Sequence, residues 1–385
     1  MKVRYIIGKL AREAKLLRMA IRYGDNLKDK LVYYRYARLA PKNGVVFFRI
    51  DRIASDYVKA MREIKDMPQK EKEWFCGHGF NPNRKAWYGV NAGNYKQYIS
   101  DFEFYRKKAY SGIDFAEWYD NKLNTYYLLA PFKNNTPKHY FFIKCGEVFP
   151  LLGHGGKSCS CFDVVKTVKE KPLAAKRCCG GHGDGFYKFQ AVAEGVSVNG
   201  KVMTYEEFCL FLNKLNNYII TDFVTPSVEI RALVGDGCFA VMRVLTVFDN
   251  VNGPKFERCM IRLGTTKAGD TQALHDTIYA GVDDDGRLFD PIYEKSDYLF
   301  ERITVHPETQ LPISGFVIPN MDNLKSLTLS ISEYLPMTPY LIFDIVPSDD
   351  GFYILEINSH GQPFLFEPFN PVKRSQAICS VLQMN

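Results

Sequence analysis

Residues 340–358 constrain this chain more than any other stretch. Two apolar, β-rich runs, 340–346 and 352–358, flank Pro347, Ser348, Asp349, Asp350 and Gly351. That punctuation predicts a β-hairpin. Placing Val346 opposite Phe352 puts Leu341, Phe343, Ile345, Tyr353, Leu355 and Ile357 on one face, all of them apolar. The other face then holds Asp344, Glu356 and Asn358. A slip of one residue would drive the charges into the core, so pattern and register agree. Facing and diagonal neighbours in such a pair lie roughly 5–8 Å apart. Three oxygen-bearing side chains above a dry face suit a hard cation such as Mg²⁺, which takes one or two carboxylates together with substrate phosphates.

Composition bounds what surrounds the hairpin. A chain of 385 residues, 46% hydrophobic, has room for two or three domains and a large core. No apolar run reaches the roughly 20 residues that span a bilayer, and no signal-peptide pattern is visible. The expected location is therefore cytoplasmic. Ten cysteines without framework spacing are expected to be reduced thiols. His154, Cys159, Cys161, Cys178, Cys179 and His182 do not match the paired spacing of structural zinc sites. The net charge is +7, and residues 1–23 hold seven basic side chains against Glu13 alone. The remainder is near neutral, so a nucleic-acid partner is not expected.

Residues 2–23 carry apolar side chains at helical spacing under a basic face. Such a helix either touches an anionic membrane at the inner face of the cell membrane or docks on its own domain with the basic face solvated. Residues 25–75 read as helical and 76–100 as an irregular connection. A strand is expected at 140–144, a short helix at 160–170 and a strand at 172–176. Thr204 followed by Glu207 is a capping-box signature for a helix over 205–217. Strands are expected at 218–224, 228–234, 238–247 and 256–263, a polar, turn-rich segment at 270–300, and a helix at 321–335. The divisions are a helical region 1–100 with its basic helix 2–23, an acceptor-side region 101–170, a small subdomain 171–225 and a metal-bearing subdomain 226–385.

The second informative stretch is strand, glycine loop, strand. Four glycines in residues 180–185 leave backbone N–H groups free to approach a polyphosphate, and Lys176 stands on the strand before them. The loop is not a Walker loop, because the G-x-x-x-x-G-K-[ST] order is absent and a strand follows. The alternative is a hairpin tip that binds nothing. Residues 218–224 are an apolar strand with a polar end at Thr221 and Asp222. They serve either as an adenine and ribose edge or as a core strand. Arg243 and Arg262 stand within apolar strands. They either clamp a phosphoryl group or a carboxylate, or pair internally.

With these residues on the page, the chain resembles the ATP-grasp superfamily, in its sugar-transfer-associated, polysaccharide-biosynthesis branch. The likeness lies in Trp118-Tyr-Asp-Asn-Lys122-Leu, Leu173-Ala-Ala-Lys176 with Gly180-Gly-His-Gly-Asp-Gly185, Met242-Arg243-Val-Leu-Thr246, His306-Pro307-Glu-Thr, and Asp344 with Glu356 and Asn358. The resemblance implies an α+β fold in which two subdomains grip ATP, preceded by the helical region. It implies that Lys144, Lys176, Gly181, His182, Gly183, Gly185, Lys188, Thr221, Asp222 and Val224 bind ATP. It further implies that Asp344, Glu356 and Asn358 hold Mg²⁺, with Mn²⁺ as a substitute, and that Arg243 and Arg262 are catalytic. The activity it implies is a carboxylate–amine ligase working through an acyl phosphate. Its partners would be a carboxylated sugar or glycan and a small amine, in capsular or exopolysaccharide assembly. The alternatives are a sugar kinase on the same fold, or a membrane-associated scaffold without catalysis.

Overall fold

The computed structural model describes residues 2–24, 26–107, 115–151, 157–180, 185–249, 251–267, 276–296, 298–359 and 361–384, with side chains from residue 10 onward except Ala116. The chain forms two compact units. One comprises residues 1–113, 295–300 and 362–385, and the other residues 114–294 and 301–361. Among the described residues no helix is long and apolar enough to cross a membrane.

The first unit is helical. Lys2–Arg22, Leu27–Lys42, Ile50–Glu63 and Gln69–Gly77 are its main helices. Its core is aromatic: Tyr33, Tyr36, Tyr57, Phe75 and Phe104 are buried, and Tyr36 meets Tyr57 edge-on at 5.4 Å between ring centroids. Asn26 caps the second helix by accepting from Lys28 N at 2.8 Å. The carboxy-terminal segment joins this unit through Glu367. Its buried carboxylate accepts from Ile99 N at 2.8 Å and from Val372 N at 3.0 Å.

The second unit contains two antiparallel sheets. Its strands are β1 (His139–Lys144), β2 (Glu147–Pro150), β3 (Leu173–Arg177), β4 (Tyr187–Val192), β5 (Gly195–Val198), β6 (Lys201–Met203) and β7 (Tyr218–Asp222). They continue with β8 (Ala240–Asp249), β9 (Gly253–Gly264), β10 (Thr277–Val282), β11 (Leu288–Ser296), β12 (Leu299–Arg302), β13 (Tyr340–Ser348) and β14 (Gly351–Asn358). The first sheet runs β2-β1-β7-β3-β4-β5-β6 and the second β12-β11-β10-β9-β8-β13-β14.

Each sheet packs a hydrophobic core against helices on one face. On the first sheet, Phe141, Ile143, Leu173, Ala175, Phe189 and Ile220 point into a core closed by helices Cys161–Glu170 and Tyr205–Leu212. Both helices start with complete capping boxes, Ser160 with Asp163 and Thr204 with Glu207. A disulfide joins them, Cys161 to Cys209. This corrects the expectation of reduced thiols at these two positions: two buried helix faces bring together residues 48 apart in sequence. On the second sheet, Met242, Val244, Ile261, Ile278, Phe343 and Ile357 face a core covered by helix Met321–Tyr334 through Leu324 and Ile331.

The hairpin of β13 and β14 forms, with a different register. Val346 faces Tyr353 and Ile345 faces Ile354, not the pairing of Val346 with Phe352 that the alternation suggests. A β-bulge then intervenes. Leu355 has no partner, and Asp344 faces Glu356 directly. The two shifts cancel in parity. Asp344, Glu356 and Asn358 keep their shared face, whereas Tyr353 and Leu355 change sides and Phe352 and Ile354 enter the core in their place.

Two further expectations fail for local reasons. Residues 228–234 form a helix, Val228–Val234, although Val, Ile and Leu favour a strand there. Its start is overdetermined. Ser227 Oγ accepts from Ile230 N at 3.4 Å, Asp349 accepts from Val228 N at 2.7 Å, and Ser227 N donates to Pro347 O at 2.9 Å. Ile230, Leu233 and Val234 then form the buried stripe. Residues 277–296 contain β10 and β11 in place of a turn-rich segment, because the acidic run 283–285 is only the turn between them. Replacing Ser227 by Ala should therefore cost about 1 kcal/mol of stability in denaturant unfolding, and Ser227→Gly only a few tenths.

Candidate nucleotide-grasping site

The face of the first sheet turned away from helices Cys161–Glu170 and Tyr205–Leu212 is read from its register. Lys176 faces Ile219, Ala174 faces both Lys188 and Thr221, and Thr221 faces His139. Facing residues share a side, so Lys176, Lys188, Ile219, Thr221 and His139 lie together. Lys144 shares that side at the exposed end of β1, two residues past Phe142, which faces Ile219. Lys188 sits over the Phe223 ring, 4.3 Å from its centroid. Asp222 does not join them. It faces Leu173, a core residue, and is taken up by Lys171 at 3.2 Å and the Tyr140 hydroxyl at 2.9 Å. Val224 packs against Phe239, Val241 and Val346.

The face of the second sheet turned away from helix Met321–Tyr334 carries the charged groups. Arg243 faces Asp344 across β8 and β13. The guanidinium donates twice, Nε to Oδ1 at 2.7 Å and Nη2 to Oδ2 at 2.9 Å. Burial disfavours the Arg243 charge, but Asp344 and then Glu356 outweigh it, and the pKa is raised. Arg262 faces Val241 and Tyr279 on the same side, with its guanidinium carbon 5.5 Å from the Phe239 ring centroid. The Tyr279 hydroxyl donates to the buried Glu294 carboxylate at 2.5 Å.

Lys122 links the two faces. Its ammonium lies 3.4 Å from Glu356 Oε1 and donates to the Gly180 carbonyl at 3.1 Å. The Asn121 side chain caps its helix, Lys122–Leu128, through Leu123 N at 3.0 Å. Lys122 is the residue that motif reading passed over. It appeared only inside a matched phrase, with no contrast of burial to mark it. Around it a cleft is lined by Lys122, Tyr126, His139, Lys176, Thr221 and Leu355. The bulge is what turns Leu355 toward this side.

Electrostatics in the cleft follow from the crowding of cations. Burial, and then Lys122, lower Lys176 to about 8, against the pull of Glu356 and Asp344. Burial, and Lys176 nearby, lower His139 to about 4 even though the ring donates from Nδ1 to the Pro137 carbonyl at 2.8 Å. His139 is therefore neutral at pH 7, and its ring lies 4.5 Å from that of Tyr126.

Gly181, His182 and Gly183 lie outside the described residues. Gly185 has a structural reason to be glycine: its φ is +71°, and a Cβ there would lie 2.5 Å from the Tyr218 hydroxyl oxygen. The matched residues His306 to Thr309 are structural as well. Buried His306 donates to the Gly264 carbonyl at 3.1 Å, and Thr309 donates to the Leu233 carbonyl at 2.7 Å.

The donor set fits Mg²⁺. Two facing carboxylates and the Asn358 amide on the same strand are hard oxygen donors. In this structure both Asp344 oxygens accept from Arg243, and Glu356 lies against Lys122, so a metal would compete with these cations.

Two sheets whose open faces oppose lysines to carboxylates and arginines define the class of ATP-grasp folds. A family model for sugar-transfer associated ATP-grasp matches residues 103–370, and the chain belongs to that family. Solved structures show distant likeness. The biotin carboxylase from Campylobacter jejuni, in a β,γ-ATP complex, is 11% identical, over 69% of this chain and 46% of its own, with a TM-score of 0.36. D-alanine–D-alanine ligase from Bacillus anthracis is 13% identical, over 69% and 65%, with a TM-score of 0.34. L-amino acid ligase from Bacillus licheniformis is 13% identical, over 68% and 48%, with a TM-score of 0.30. The chain thus spans less than two thirds of the length of each, and likeness at this level carries no functional argument. No curated protein matches.

Two outcomes are expected of substitutions here. Asp344→Asn removes the charge partner of a buried guanidinium and should cost about 3 kcal/mol, whereas Glu356→Gln, at a partly exposed pair, should cost below about 1 kcal/mol; urea unfolding of both variants checks the contrast. His139 has a lowered folded pKa, so the stability it contributes is present above pH 6.5 and is lost as pH falls from 6.5 to about 4. The span is worth about 3 kcal/mol. His139→Gln should flatten the unfolding free energy across that window and leave the slope above pH 7 unchanged.

Proposed function

We propose that this chain is an ATP- and Mg²⁺-dependent ligase that joins an amine to a carboxylated sugar or glycan in surface-polysaccharide assembly, acting in the cytoplasm. One observation carries the reading: Lys122 and Lys176 line one cleft, and Lys122 reaches the Glu356 carboxylate, which faces Asp344. The cations suit a polyphosphate, and the carboxylates suit the metal that accompanies it. The family's association with sugar transfer supports a sugar acceptor.

In this reading Lys122 and Lys176 neutralise ATP phosphate oxygens. A phosphate near Lys176 favours its charged form against the burial, and the Lys122 charge, that lower its pKa. Asp344, Glu356 and Asn358 would hold Mg²⁺, which would supply charge neutralisation when bound. Arg243, drawn partly off Asp344, turns to the transferring phosphoryl group. Arg262, one strand further on, holds the acceptor carboxylate. An acceptor carboxylate oxygen attacks the γ-phosphorus and ADP leaves. The amine then attacks the acyl carbon, phosphate leaves, and the amine proton passes to solvent. No side-chain nucleophile is required, because catalysis here is positioning and charge. Neutral His139 and Tyr126 form an uncharged wall beside the phosphates, fit to meet a planar base.

The test is ADP release against a panel of carboxylated nucleotide-sugars and amines, read together with product mass. The expected result is ADP formation that requires both acceptor and amine, with a product lighter than their sum by one water. Glu356→Gln should lower turnover at least about 100-fold. Phosphosugar formed without amine would replace the ligase by a kinase, and no nucleotide turnover with any acceptor would favour a scaffold.

A further inference from the structure

The helices Lys2–Arg22 and Leu27–Lys42 pack together along a defined seam. Leu16 and Ala20 are buried, and Tyr23 stacks on Tyr33 at 4.7 Å. Glu13 accepts from the Tyr34 hydroxyl at 3.2 Å and from Arg38 Nε at 3.3 Å. Leu10 and Leu17 lie three residues before and four after Glu13, so they flank it on one helix face. Ile21 extends that face by one turn. On the second helix, Leu27 and Leu31 precede Tyr34 and Arg38 at spacings that place all four on one side. Both stripes therefore border the same edge of the seam. Leu10, Leu17, Ile21, Leu27 and Leu31 are 64%, 47%, 58%, 70% and 62% exposed. Five large aliphatic side chains so close together are more than scattered surface residues.

Charge stands beside this band. Arg18, Arg22 and Lys28 are exposed. Among the described residues neither arginine has a carboxylate within ion-pair distance. The first 23 residues hold seven basic side chains and one acidic.

We propose that this helical pair docks on an anionic lipid surface, with the five aliphatic side chains entering the headgroup layer and the arginines meeting lipid phosphates. A peripheral helix of this kind needs an apolar stripe beside a basic one, and neither alone suffices. The charge argues against a second copy of the chain, which would bring two strongly basic segments face to face. It also argues for lipid over nucleic acid, which would leave the aliphatic band without a partner. The inference is independent of the ligase reading, because it concerns the other compact unit and its readout involves no nucleotide.

The test is co-sedimentation of the full chain with vesicles of phosphatidylcholine alone or mixed with phosphatidylglycerol. The expected result is pelleting with the anionic vesicles only, released as salt is raised. Leu17→Gln with Ile21→Gln, and separately Arg18→Gln with Arg22→Gln, should each weaken partitioning about tenfold. Helical content and melting temperature should stay unchanged, since all four side chains are exposed. Three outcomes would overturn the proposal: equal pelleting with neutral vesicles, no pelleting with either, or a dimer in sedimentation velocity that the leucine and isoleucine substitutions dissolve.

Discussion

Arg243 and Asp344 face each other across two central strands and share two charge-assisted hydrogen bonds. A carboxylate with under a tenth of its surface exposed needs a hydrogen-bonded partner, and so does a largely covered guanidinium. The pair therefore settles each charge by means of the other. It also sets the state of the cleft. Asp344 is occupied by Arg243 and Glu356 by Lys122, while burial, and then Lys122, lower the pKa of Lys176. An anion entering the cleft would meet charge already in surplus. Site assembly in the proposed ligase is thus an exchange of partners, in which phosphate and metal replace internal ion pairs.

The bulge at Leu355 makes this geometry compatible with a dry core. Without it, Asp344 and Glu356 would stand diagonally or on opposite faces. With it, they face one another while Phe352 and Ile354 fill the core beneath the turn. The same turn steadies the helix Val228–Val234 through Asp349 and Pro347. A short hairpin thereby fixes both the carboxylates and the helix that begins the second sheet's core.

Much of the second unit was legible from local chemistry. Strict alternation marked β13 and β14. A capping box marked the start of the helix Tyr205–Leu212 to the residue, because Thr204 followed three residues later by Glu207 satisfies two backbone donors at once. Glycines around residue 180 marked a loop between two strands. Residues 228–234 misled because β-branched side chains favour strands, while the groups that cap the helix include Asp349 and Pro347, more than 100 positions away. Lys122, His139 and Tyr126 were not legible as site residues at all. Nothing in a helix start or a strand start distinguishes a side chain aimed at a cleft from one aimed at solvent.

The division has a physical basis. Periodicity, caps and turns depend on neighbours a few residues apart, so the sequence alone determined β1, β3, β7, β8, β9, β13 and β14, the shared face of Asp344, Glu356 and Asn358, and the basic amphipathic first helix. Register, bulges and charge pairing depend on which strands lie side by side. Only the tertiary structure decided that Asp344 faces Glu356, that Arg243 holds Asp344, that Asp222 turns from Thr221's side, and that Cys161 reaches Cys209. The exposure of Leu10, Leu17 and Ile21 belongs to the same class. The helical pattern supplied an apolar stripe, and the packing of Leu16 and Ala20 left part of it uncovered.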